Sequence, residues 1–189
     1  MMTEPAAAAS WVDAVQTFWF KELEPAAWFE ANPDIDNSVR ARFLTIHERV
    51  AADFDSETAM PSSEQAVATV ILFDQFPRNM FRGTPRAFGT DHLALAVARK
   101  AIDRRLDDGL DANHRLFLYL PFEHSEDMSD QHRAVEFIGK FDSGERLQFA
   151  VAHRDIIARF GRFPHRNATL GRQSTPEEIA FLQQPGHSC

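Results

Sequence analysis

An all-α fold of antiparallel helix pairs is what the sequence predicts, closed as a compact bundle or stacked as a small solenoid-like array. Three observations predict it. Apolar residues recur at steps of three and four, as in Val39, Phe43, Ile46, Val50 and Phe54. Helix start signals recur, the fullest being Thr175-Pro176-Glu177-Glu178, with a cap, a first-position proline and two acids in the first turn. Finally, no segment sustains strand alternation, and no Asn-Gly or Asp-Gly turn joins β-branched runs. The pairs are unevenly spaced, so a regular 34-residue repeat is not read from the residues themselves.

Taken in order, Ser10 caps a first helix with Trp11, Val15, Phe18 and Trp19 on one face, ended or followed by Pro25. Asn32-Pro33 reads as a turn, and the second helix begins near Asp36, with His47 beside its apolar stripe. After a polar connection over 55–61, Ser62 or Ser63 opens a third helix, apolar on most sides and therefore central, which Pro77 is expected to terminate. Residues 91–106 form a long helix stopped by Gly109. Asn113 caps a short helix broken at Pro121, and Ser129 or Asp130 starts the next, with Val135, Ile138 and Phe141 inward. Gly144 separates that helix from 145–160, whose apolar face holds Phe149, His153, Ile156, Ile157 and Phe160.

Composition narrows the class. A chain of 189 residues that is 44% hydrophobic, with seventeen Phe and three Trp, predicts one globular domain over 1–189 with an aromatic core from about 10 to 183 and flexible ends. The one cysteine, Cys189, excludes an intramolecular disulfide and a cysteine-based zinc site and fits a reducing compartment. The first ten residues, MMTEPAAAAS, lack a basic region and an apolar stretch, and the longest apolar run, 66–73, is too short for a bilayer, so a cytoplasmic protein without membrane contact is expected. An acidic balance, with pI about 5.4, argues against nucleic acid, and no RNA-binding fingerprint appears despite arginines interleaved with phenylalanines at 160–166.

Charge is segregated. Residues 153–172 hold five arginines against one acid, and residues 75–89 hold Arg78, Arg82 and Arg86 with no acid, so about +7 gathers in two segments of a chain whose net charge is -8. Each segment carries a Phe-Pro turn, Phe76-Pro77-Arg78-Asn79 and Phe163-Pro164-His165-Arg166-Asn167. Arginine donates two parallel hydrogen bonds at any working pH, which suits phosphate or carboxylate. The candidate ligand-binding residues are therefore Arg78, Asn79, Arg82, Arg154, Arg162, His165, Arg166 and Asn167, around a small anionic molecule. The bland alternative is that Phe-Pro turns simply end helices and the arginines pair with Glu123, Glu126, Asp127 and Asp155.

Catalytic candidates are His124, His153 and Glu123, because an imidazole among carboxylates can act as a tuned base. A solvated acidic helix start is the alternative for 123–127, but the apolar Leu118-Tyr119-Leu120-Pro121-Phe122 before it pulls the string inward. Metal spacing is absent, with no His-Glu-x-x-His and no EF-hand loop, and no cofactor is expected. His153-Arg154-Asp155 is set aside as a kinase catalytic loop because the Gly-rich loop, the strand lysine and Asp-Phe-Gly are missing.

Several blocks taken together resemble the bacterial family called domain of unknown function 924. They are Phe18-Trp19-Phe20, the run from Leu72-Phe73-Asp74-Gln75 through Arg82-Gly83, Pro85-Arg86-Ala87-Phe88, the run from Leu118-Tyr119-Leu120 through Glu126-Asp127, and 153–171. The likeness runs from about Val15 to Leu182. It implies an all-helical domain of the tetratricopeptide-like superfamily and implies no activity and no catalytic residues. The chain is shorter than the family pattern around 53–60 and 139–146. Three functions remain open: a small-anion binder, a hydrolase or isomerase with a histidine base, and a scaffold whose concave face takes a protein partner.

Overall fold

Polar caps place the helices. The computed structural model describes residues 10–55 and 62–184, so the connection expected over 55–61 and both expected flexible ends fall largely or wholly outside the described residues. Ser10 closes a capping box with Asp13 at the start of α1 (Trp11–Thr17), which widens into a π turn over Phe18–Glu22. Asn32 and Pro33 are not a free turn: Asn32 Oδ1 accepts from the Asp34 amide at 2.9 Å, and Pro33 is the first residue of α2 (Pro33–Ala52). Ser62 caps α3 (Ser63–Val70).

Pro77 does not end that helix. The chain passes through a π turn, Ile71–Gln75, into α4 (Phe76–Met80), with Pro77 near its start. The amide that proline lacks would have bonded the Phe73 carbonyl; the Thr90 hydroxyl donates to that carbonyl instead, at 2.7 Å. Pro121 is likewise tolerated inside α6 (Ala112–Glu123), where it forfeits one bond near the end of a helix whose residues 116–123 are all buried. The cap of α6 is Asp111 and not Asn113, which instead donates its amide to Asp111 Oδ1 at 2.9 Å.

α5 (Asp91–Asp103) stops before Gly109, because Arg105 itself adopts a left-handed φ of 57° and the Leu106 amide bonds back to Ala101. Asp127 caps α7 (Met128–Gly139), earlier than Ser129 or Asp130. α8 (Glu145–Phe160) occupies the expected span, and α9 (Pro176–Leu182) starts where expected, with a full Thr175–Glu178 capping box.

Residues 66–76 are buried without a break, making α3 and its extension the centre. α1, α5 and α6 pack on α3, α2 packs on α4, and α7 lies between α6 and α8. Rings fill the interior: Phe43 lies 4.5 Å from Phe76, Trp19 lies 5.4 Å from Phe117, and the Trp28 indole donates to the Trp19 carbonyl at 2.8 Å. Burying each such ring contributes about 1.5–3 kcal/mol. A smaller cluster of Ile156, Ile157, Phe163 and Phe181 joins α8, the second Phe-Pro turn and α9. Among the described residues there is no strand, and no helix is long and apolar enough to cross a membrane.

Candidate functional site

Between the main core and the smaller cluster lies a recess of about 550 Å³. Three distant segments supply its floor. The π turn and α4 bring Gln75, Arg78, Asn79 and Arg82; the end of α6 brings Glu123 and His124; and the short turn Pro164–Arg166 brings His165 and Arg166. His153 reaches it from α8. A smaller recess of about 220 Å³ between α1, α2 and α3 contains, among the described residues, only Arg49 and Asp53 as ionisable lining.

Asp74 organises the floor. Its side chain is wholly buried, accepts from His124 Nδ1 at 2.8 Å and from Gln75 Nε2 at 2.5 Å, and lies 3.2 Å from Arg78 Nη1. Burial alone would raise its pKa, but the charges of Arg78 and His124 and the hydrogen bonds hold the carboxyl far below its ordinary value. Burial lowers the pKa of His124 against the pull of Asp74, and Arg78 and Arg166 push the same way as burial. With Nδ1 assigned as the protonated nitrogen by its bond to Asp74, the neutral ring carries its lone pair on Nε2.

A second pair sits alongside. Glu123 Oε1 is 3.1 Å from His153 Nδ1, which also donates to the Phe149 carbonyl at 2.9 Å. Burial, with a further push from the charge of Asp74, raises Glu123 to about 8, so it is mainly protonated at neutral pH. His165 is lowered to about 4, first by burial and then by Arg166, and its buried Nδ1 has no hydrogen-bond partner.

The arginines differ in how far they are already engaged. Arg78 forms a two-pronged pair with Asp91 at 2.9 and 3.0 Å and also donates to the Asp74 carbonyl. Arg82 binds Asp36 through two nitrogens, and Asn79 donates to the same carboxylate at 2.8 Å. Arg166 is 7% exposed, donates through Nη1 to the His124 carbonyl at 3.0 Å, and lies 3.7 Å from Asp91. Its guanidinium is held over the rings of Phe163 and Phe88, and its buried Nε has no partner. Burial lowers it to about 10, which leaves it cationic at neutral pH.

Three of the residues selected from the sequence stand apart from the recess lining. Arg154 pairs with its neighbour Asp155. Arg162 pairs with Glu178 at 2.6 Å, and Asn167 donates to Ser174 and Glu178, so both brace the second Phe-Pro turn against α9. Glu126 fastens the same turn by accepting the Phe163 amide at 2.8 Å and two Arg172 nitrogens. The net +7 of the two basic segments is therefore largely offset by Asp36, Asp91, Glu126 and Glu178, which come from elsewhere in the chain. Asp74 and Asp91 escaped selection. The readable signal for Asp74 is that it is the one acid in the otherwise uncharged run 66–76.

Among the described residues, no three His, Cys, Asp or Glu side chains converge as metal ligands. The chain matches the family described as "Bacterial protein of unknown function (DUF924)" over residues 15–186 and belongs to it. It is also similar to the solved structure of a protein of unknown function from Agrobacterium tumefaciens, with 41% identity and a TM-score of 0.85, covering 91% of this chain and 96% of that one. No match was found among the curated proteins.

Proposed function

We propose that the recess binds a small molecule through a carboxylate or phosphate, with Arg166 as the anchor. The observation that carries this is Arg166 itself, a nearly buried cation lining the recess whose guanidinium gives the protein only the Nη1 hydrogen bond to the His124 carbonyl, leaving Nη2 unengaged. A hydrogen bond from a charged donor such as Nη2 to a ligand oxygen contributes about 1.5–3 kcal/mol. Arg78 and Arg82 add positive field, but their bonds to Asp91 and Asp36 leave less to offer. The test is calorimetric titration with inorganic phosphate and with short carboxylates. Binding that weakens with added salt and is lost in Arg166→Gln supports the reading; absence of binding across the anions removes it.

A second reading is favoured by the contact between His124 Nδ1 and the buried Asp74, which orients the ring and leaves Nε2 as a base beside a protonated Glu123. In this reading the protein is a hydrolase or isomerase: His124 takes a proton from water or from carbon, Glu123 supplies one, and Arg166 steadies the negative charge that develops. Small anionic esters and hydroxy acids incubated with the protein in D2O and followed by proton NMR test it. Hydrolysis or deuterium uptake lost in His124→Gln is expected; inertness across such compounds counts against it. A scaffold of the tetratricopeptide type, which would take a protein partner, finds less support. It calls for an extended apolar groove, whereas Phe29, Phe149, Ile179 and Leu182 are the exposed large apolar side chains among the described residues.

A further inference from the structure

Two of those four exposed apolar side chains stand at this recess. Phe29 is 65% exposed and Phe149 is 52% exposed, and both line it. Such exposure is costly for a phenyl ring unless something covers it. Neither ring is on a loose segment. Phe29 follows the short turn Pro25–Trp28, and its ring lies nearly parallel to the buried Phe117 ring, 13° apart in plane with centroids at 6.1 Å. Phe149 belongs to α8, and its carbonyl accepts the His153 Nδ1–H. The sequence places Phe149 on the inward face of that helix; in the structure it is half exposed and lines the recess. Trp28, Phe88, Leu116 and Leu120 add further apolar lining beside the polar residues.

A volume of about 550 Å³ is far larger than an acetate or phosphate ion needs and falls in the usual range for organic ligands, about 300–1,000 Å³. We infer that the ligand is an aryl carboxylate or aryl phosphate, its anionic group at Arg166 and its ring against Phe29 and Phe149. This rests on the anion reading above and adds the chemistry of the remainder of the molecule. Two exposed phenyl rings in the lining favour a flat ring over a flexible chain through stacked or edge-on contact.

Calorimetry on the intact chain separates the two claims, using acetate, hexanoate, phenylacetate, inorganic phosphate and phenyl phosphate as probes. Phenylacetate is expected to bind about tenfold or more tightly than acetate, and phenyl phosphate likewise against phosphate. Both gaps should shrink to within about twofold in the double variant Phe29→Ala/Phe149→Ala. These rings are more than half exposed, so the variant should stay folded by circular dichroism with at most a modest drop in melting temperature, and the comparison within the parent protein stands without it. Equal binding of acetate and phenylacetate overturns the aryl inference and leaves the anion site standing, and hexanoate matching phenylacetate overturns the choice of a ring. No binding of any probe overturns both.

Discussion

Single ionisable side chains give the floor its character, because each is buried against the cost of desolvation and each resolves that cost differently. Asp74 stays ionised with help from Arg78 and His124, whereas Glu123, lacking a cation, is pushed up to about 8. A carboxyl protonated in the fold and ionised in the unfolded chain contributes stability that is complete below about pH 4.5 and lost as pH rises through about 8. Burial acts oppositely on His47, His124, His153 and His165, whose contributions are lost as pH falls below about 6.5. From about pH 7.5 upward these four are largely neutral in both the folded and the unfolded chain, and Glu123 titrates against a quiet background. Urea-melt stability is therefore expected to fall by about 0.5–1 kcal/mol from pH 7.5 to 9 through Glu123 and to lose less in Glu123→Gln; a parent profile that matches the variant's across that window contradicts this. Asp74→Asn removes the charge that supports His124. It should lower the His124 pKa further, read from the imidazole proton resonances, and cost about 3 kcal/mol, the lower end for breaking a buried pair.

At the level of elements, the site depends on two helices that continue where a proline was expected to stop them. From the sequence, Pro77 is expected to end the third helix, because proline lacks an amide donor and disfavours the helical conformation before it. The donor that compensates, Thr90, is seventeen residues from Phe73, and nothing local in the sequence announces it. Thr90→Val should cost about 1–2 kcal/mol in urea melts, and Thr90→Ser should recover most of it; an unchanged midpoint in Thr90→Val would show that the freed carbonyl needs no partner. The second Phe-Pro turn is set by α9. Glu178 accepts from Arg162, from Asn167 and from the Thr175 amide, and the hydrogen bond from Arg162, together with the other donors, holds it down at about 2 against the opposing effect of burial. Glu178→Ala is expected to destabilise by about 2–3 kcal/mol and to weaken anion binding at Arg166, although Glu178 does not line the recess; weakened stability with unchanged affinity would show the turn to be held by Glu126 alone.

For the whole molecule, the helices were legible because periodicity and caps are local properties: 39–54 shows its stripe, and Thr175-Pro176-Glu177-Glu178 gives the start of α9. The meeting of the two Phe-Pro turns with Glu123 and His124 was approachable from charge, since arginines gathered in two segments imply acids elsewhere. What charge could not reveal was the pairing, because Asp36, Asp91 and Glu178 reach their arginines only after folding. Summed charge therefore overstated the free cations, and among the recess arginines Arg166 is the one whose side chain is nearly buried with a nitrogen left unbonded. The most direct measurement follows the Arg166 Nε–H resonance in 15N-labelled protein, assigned by its loss in Arg166→Lys, during titration with phenyl phosphate. A saturable shift of that resonance, as the same guanidinium gains a phosphate oxygen at Nη2, is the predicted result. A resonance that stays fixed while other arginine or backbone signals move would place the anion elsewhere and contradict the account.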